Sequence, residues 1–266
     1  MKKEEKAVLV ISFGTSYRET REKTIDRIEK QIREAVPEYK FYRAWTSRKI
    51  MEKLEKRDGE HIADIKEAME QMAADGIREV VVQPTFILTG YESDRMEEEV
   101  RKYSGSFEKV IFGKPLLVSK EDKRSVIETL EKEYRPGADE CLLFMGHGTE
   151  HAANVLYKEL DELFEEMGLK DLYMGTVEGD FSLMYFLDKI GDKNYRRVRL
   201  APFMIVAGDH AVNDMAGDED DSWKSIIEKA DYETKCFLKG LGEFEPVRKI
   251  FADHVREAVC ICETKG

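Results

Sequence analysis

The chain has little of what builds stapled, membrane-spanning or nucleic-acid-binding proteins. In 266 residues it holds four cysteines, six prolines and two tryptophans. Cys141, Cys236, Cys260 and Cys262 form no CxxC pair and no disulfide-like spacing, so they read as ordinary reduced thiols and exclude a disulfide scaffold. No apolar run approaches the ~20 residues needed to cross a bilayer, which excludes a spanning helix. The start, MKKEEKAVLVISFG, puts lysines before apolar residues as a secretory signal does. However, the apolar run is short, Glu4 and Glu5 interrupt the charges, and no small-residue cleavage site follows. The expected location is cytoplasmic. Basic charge is also short: 43 Lys and Arg against 55 Asp and Glu leave a net charge of -12. With no dominant basic stretch, neither nucleic acid nor an anionic membrane is an expected partner. An anionic ligand must then be drawn by a local basic patch. No GxGxxG or P-loop pattern is present to cradle a phosphate.

What the chain does have is alternation. Short β-rich runs at 7–13, 41–47, 79–86 and 109–113 are separated by longer helical patterns, and a helical run at 119–134 leads to Pro136-Gly137. The pattern then restarts with strands at 141–146, 172–179, 197–208 and 232–238. A helix at 150–167, another from about Asn213 and a last amphipathic helix to about Glu263 accompany them. Alternation of this kind predicts α/β architecture with parallel sheets. The two halves also match in detail. FGTS (13–16) aligns with HGTE (147–150), and VVVQPTFILTGYE (80–92) aligns with VRLAPFMIVAGDH (198–210), Pro84 over Pro202 and Gly90 over Gly208. The expectation is two similar halves, each a small parallel sheet flanked by helices, facing each other across a cleft. Residues 1–135 form the N-terminal half and 136–266 the C-terminal half, with the last helix packing back on the first.

In an open parallel sheet, ligands bind outside the carboxyl ends of the strands. His147 follows the first strand of the second half, Glu178 ends its second strand, and His210 follows its third. Two imidazoles and a carboxylate delivered to one edge suit a borderline divalent metal with positions left for exchange. Gly146, Gly148 and Gly208 allow close approach there. The first half lacks the set, with Phe13 where His147 stands and Glu92 where His210 stands. A phosphohistidine enzyme needs an arginine just before its histidine, and this chain has Met145-Gly146 there. His61, His151 and His254 read as hydrogen-bonded structural residues. The acidic run Asp218-Glu219-Asp220-Asp221 reads as a solvated loop or, alternatively, as a weak cation-collecting entrance.

At AGDHAVNDMAGDEDDSW (207–223), together with FMGHG (144–148), VISFGTSYRET near the start and KGLGE (239–243), the chain resembles the anaerobic cobaltochelatases of cobalamin synthesis, the CbiK type of class II chelatase. The resemblance spans essentially the whole chain. It implies insertion of Co²⁺, as substrate metal, into sirohydrochlorin, an anionic tetrapyrrole, without ATP and without an organic cofactor. It also implies a metal site on His147, Glu178 and His210, with His147 as general base, and Glu92 as the acid across the cleft. An unperturbed imidazole titrates near ~6.5, which suits a base at neutral pH. Where some members carry a histidine before that acid, this chain has residues 85–89, TFILT, which gives no support to a haem-linked role. For a substrate with many carboxylates, Ser12, Thr15, Arg18, Arg43, Arg48 and Arg95 near first-half strand ends are the candidate contacts. An N/N/O donor set does not separate Co²⁺ from Ni²⁺ or Fe²⁺. Chelation of Fe²⁺ or Ni²⁺ into the same tetrapyrrole, or a non-enzymatic tetrapyrrole or metal carrier, are therefore the alternative readings. Nothing in the sequence specifies an oligomeric state.

Overall fold

A computed structural model describes residues 5–179 and 181–264. In chain order the first elements are β1 (Lys6–Ser12), α1 (Arg18–Lys23), α2 (Ile25–Ala35), β2 (Lys40–Trp45), α3 (Arg48–Asp58), α4 (Ile65–Ala74), β3 (Glu79–Pro84), α5 (Tyr91–Tyr103) and β4 (Lys109–Phe112). There follow α6 (Lys120–Tyr134), β5 (Glu140–Gly146), α7 (Val155–Glu166), β6 (Leu172–Thr176), α8 (Leu183–Ile190), β7 (Arg197–Pro202), a π-helix (His210–Met215), α9 (Trp223–Lys229), β8 (Glu233–Cys236) and α10 (Glu245–Thr264). The strands form two four-stranded parallel sheets, ordered β2-β1-β3-β4 and β6-β5-β7-β8.

The chain divides into two compact units. One runs to Val118 and includes the chain from Glu245; the other is Ser119–Phe244. This corrects the boundary expected at residues 135–136. Pro136-Gly137 is a turn inside the second unit, where Glu140 accepts the Gly137 N–H, rather than a linker. The helix before it, α6, is capped by Ser119 and Asp122 and packs with α7. The last helix, α10, belongs to the first unit and packs on α2, β3 and β4.

Each sheet is buried on both faces, as βαβ crossovers demand. In the first unit Leu9, Ile11, Val80 and Val82 meet Ile65, Met69 and Met72 of α4 and Met96 and Val100 of α5. In the second, Leu143, Met145, Val198 and Leu200 meet α8, α9 and the π-helix through Phe186, Trp223, Ile227, Ala211 and Met215. The two sheets also share a register. Ile11 pairs with Pro84 as Met145 pairs with Pro202, and Ser12 with Trp45 as Gly146 with Thr176. The ladders extend one step further in the same way. Thr85 N–H donates to the Ile11 carbonyl as Phe203 N–H does to Met145, and Ser47 N–H to Phe13 as Glu178 N–H does to His147. Phe13 and His147 therefore occupy equivalent places, as do Ser47 and Glu178.

Candidate metal centre

β5 lies between β6 and β7, so the turns leaving all three strands gather at one carboxyl edge. His147 is the first residue beyond β5, and it sits before a turn that only glycine fits. Gly148 has φ +79°, and a Cβ there would lie 2.0 Å from the Glu178 carbonyl oxygen. A Cβ on Gly146 would lie 2.3 Å from the Tyr157 ring, and the Tyr157 hydroxyl accepts the Gly148 N–H at 3.3 Å. Burial pushes the Tyr157 phenol up, so it stays neutral. Protein atoms, not a ligand, thus fill the space these two glycines leave. Their role is to aim His147.

The structure brings His147 and His210 together: their ring centres are 4.8 Å apart with planes at 85°. An ion ~2.05 Å from each Nε2 would lie ~3.2 Å from each ring centre, and a bond angle of 90–110° then sets the centres ~4.5–5.2 Å apart. The observed spacing meets that requirement. Each Nδ1 is already engaged. That of His147 is 3.0 Å from the Gly148 carbonyl oxygen, and that of His210 is 2.5 Å from Asp214 Oδ2. An oxygen acceptor requires the proton on Nδ1, so in the neutral form of either ring the lone pair lies on Nε2.

Glu178 is placed differently from expectation. β6 stops at Thr176, whose hydroxyl donates to the Glu178 carbonyl at 2.7 Å and so ties down the chain just after the strand. The Glu178 backbone is fixed beside His147 by its 3.0 Å N–H bond to the His147 carbonyl, while its side chain is exposed. Among the described residues, no three His, Cys, Asp or Glu side chains stand ready as a metal-holding group. The pair of imidazoles is assembled; the carboxylate is on the same edge but not gathered with them.

The first-unit candidates separate into two groups. Ser12 and Thr15 are buried, the Ser12 hydroxyl accepting from Thr85 at 2.8 Å and Thr15 from the Tyr17 N–H at 3.3 Å, so both support the turn after β1. Arg43 lies mid-strand, paired with Glu29 and with Asp26 (2.5 Å), and its charge is spent inside the unit. Arg18, Arg48 and Arg95 are exposed near the starts of α1, α3 and α5, at the carboxyl edge of their sheet. Arg18 pairs only with Glu22 on its own helix, and Arg48 and Arg95 form no ion pair among the described residues. Glu92, in the first turn of α5, accepts a 3.3 Å hydrogen bond from Thr46. The remaining histidines are structural: His151 Nδ1 accepts the Ala153 N–H, His61 lies by Glu67, and His254 is buried on α10. In the acidic run, Asp218 pairs with Lys224 and Asp220 with Lys229.

Sequence reasoning passed over Asp214, whose signal is the H-x-x-x-D spacing that becomes one face once a helix begins at His210. It also missed the exposed apolar side chains at the carboxyl edges: Phe13 and Tyr91 in the first unit, Val177, Met184 and Tyr185 in the second. Exposed rings at a ligand edge offer a surface for a flat apolar molecule.

A family model described as cobalt chelatase (CbiK) matches residues 6–260. The chain belongs to this family. Among its relatives, sirohydrochlorin cobaltochelatase of Salmonella typhimurium is 36% identical over 255 residues, covering 96% of each chain. Sirohydrochlorin cobaltochelatase CbiKC of Nitratidesulfovibrio vulgaris is 29% identical over 262 residues, covering 96% of this chain and 90% of that one. Among solved structures, SirB from Bacillus subtilis with Fe³⁺ aligns with a TM-score of 0.69 at 14% identity over 98% of both chains. CbiX, described as the terminal enzyme of sirohaem biosynthesis in denitrifying bacteria, aligns at 0.57 and 14% over 95% of this chain and 99% of that one. At such identities these two establish a shared fold for this CbiK-family chain.

Proposed function

We propose that the chain inserts Co²⁺ into sirohydrochlorin, without ATP, in the anaerobic synthesis of cobalamin. The observation that carries the proposal is the His147–His210 pair, spaced for one ion at the carboxyl edge of a sheet in a cobalt-chelatase family member. Both substrates come from the relatives' activity; the donor set fits the metal. Insertion exchanges Co²⁺ for two pyrrole N–H protons, so the protein must hold a metal loosely and accept protons. His147 and His210 take the ion through Nε2, and Glu178 swings in from its exposed turn as the third donor. Each imidazole has one lone pair, because its Nδ1 proton is committed to an oxygen. His147 therefore cannot hold the metal and take a proton at once. It releases Co²⁺ to the first pyrrole nitrogen and then accepts a proton, and the second proton leaves to water. Arg18, Arg48 and Arg95 bind substrate carboxylates, and Glu92 assists on the first unit.

The test is to mix the protein with sirohydrochlorin and excess Co²⁺ and follow the absorbance of the macrocycle. Conversion of many equivalents per chain is expected. Conversion that halts at one equivalent would identify a carrier and overturn the enzymatic reading. Repeating the assay with Fe²⁺ and Ni²⁺ should leave Co²⁺ the fastest; a faster Fe²⁺ reaction would reassign the metal substrate.

A further inference from the structure

The π-helix His210–Met215 is a single turn with two opposite sides. Ala211 and Met215 are fully buried in the second unit's core, which fixes the turn's position. On its exposed side, His210 Nδ1 meets Asp214 Oδ2, and Asn213 Nδ2 donates to Asp209 Oδ1 at 3.1 Å, two side-by-side links four residues long. The two imidazoles of the pair thus have unlike supports. His147 leans on the neutral carbonyl of its own neighbour, whereas His210 leans on a carboxylate. Among the described residues His210 is the ion-pair partner of Asp214, so the carboxylate is not tied up by a lysine or arginine.

We propose that Asp214 is a positioning residue for metal capture, acting through His210. Its carboxylate holds the proton on Nδ1 and the ring at one rotation, so that Nε2 is presented as a lone pair before any metal arrives. A charge-assisted hydrogen bond of this kind is stronger than one to a neutral carbonyl and raises the electron density of the ligating nitrogen. The consequence is a division of labour. His210 is the firm metal ligand, and His147, with the weaker support, is the one that lets go and accepts a proton. A surface carboxylate that merely balanced a nearby charge would leave metal capture untouched.

This inference rests on the chelatase reading for its kinetic readout but not for its binding readout. Co²⁺ alone is titrated into the tetrapyrrole-free protein, and KM for Co²⁺ and kcat are then measured with sirohydrochlorin. Asp214→Ala should weaken Co²⁺ binding and raise its KM by ~10–100-fold, the usual effect of losing a ligand's outer partner, while kcat at saturating Co²⁺ falls far less. Asp214→Asn keeps an oxygen acceptor without the charge and should fall between. In ¹⁵N-edited spectra of the metal-free protein, the His210 Nδ1 proton should be fixed in wild type and lost from one site in Asp214→Ala. Co²⁺ binding by Asp214→Ala within ~2-fold of wild type would overturn the proposal, as would a kcat loss as large as the loss in kcat/KM. If the alanine variant does not fold, Asp214→Asn decides: weakening of ~3-fold or more supports the role and wild-type affinity overturns it. Should wild type bind Co²⁺ but never turn over, the chelatase reading fails while the binding comparison still judges Asp214.

Discussion

An imidazole has two nitrogens, and what engages one decides what the other can do. At His147 and His210 both Nδ1 atoms are taken by oxygen, which leaves two Nε2 lone pairs on rings 4.8 Å apart. With Asp214 behind it, His210 should chiefly serve metal capture, so His210→Ala should raise KM for Co²⁺ and recover much of its rate at high Co²⁺. His147→Ala should lose ~10²-fold or more even at saturating metal, the usual scale of a lost general base. Equal rescue of both variants by Co²⁺ would make His147 a ligand alone. The glycine beside it gives a second test. Gly148→Ala combines a left-handed φ of +79° with a Cβ 2.0 Å from a backbone oxygen that cannot rotate away. It should lower stability by ~1–3 kcal/mol and displace the Glu178 turn, weakening Co²⁺ binding; wild-type values in chemical denaturation would disprove the strain. The histidines and the glycines were legible in the sequence because residue type alone marks them. The meaning of the glycines was not, since only coordinates reveal that Tyr157 and Glu178 fill the space beside them.

At the scale of elements, all eight strands are foreshadowed by short apolar, aromatic or β-branched runs, and their far ends are where the reading slips. FMIVAG continues the apolar run past β7, yet the strand stops at Pro202, as β3 stops at Pro84, because proline has no N–H for the ladder. The π-helix begins three residues before the helix expected at Asn213, since its wider i→i+5 bonding leaves no 3.6-residue periodicity to find. Arg43, expected among the strand-end contacts, lies in the middle of β2, where Glu29 of α2, only 1% exposed, needs it. Burial pushes the Glu29 carboxyl up, and Arg43 draws it back. Without Arg43 the carboxyl would rise further, and an acid whose folded pKa exceeds its unfolded one costs stability as pH rises through that interval. Arg43→Ala should therefore lose ~3 kcal/mol at neutral pH and recover part of it near pH 4, with no change in substrate KM for the folded fraction. A loss independent of pH would place the cost in packing instead. Arg43→Ala with raised KM and wild-type stability would return Arg43 to the substrate contacts.

For the whole molecule, duplication and charge pull in different directions. The two sheets share order and register, so the fold is the same idea twice, and the repeat was readable because paired prolines and glycines mark equivalent turns. The chemistry is not repeated: the positions that carry imidazoles in the second unit carry Phe13 and Glu92 in the first. The net charge of -12 belongs to the molecule as a whole and repels a polycarboxylate substrate at long range. Exposed Arg18, Arg48 and Arg95 attract it only at contact. Salt screens both, with a Debye length of ~8 Å at physiological ionic strength, but each with opposite effect on KM. If the arginines bind carboxylates, attraction governs the wild type and its KM for sirohydrochlorin rises with salt. Replacing Arg48 and Arg95 together by glutamine should raise KM at low salt by ~10-fold, with a smaller effect on kcat. With local attraction removed, the remaining repulsion should make KM fall as salt is added, reversing the sign of the dependence. Parallel salt profiles for wild type and variant would return these arginines to ordinary surface charge, and the affinity for the macrocycle would then rest on the exposed apolar side chains.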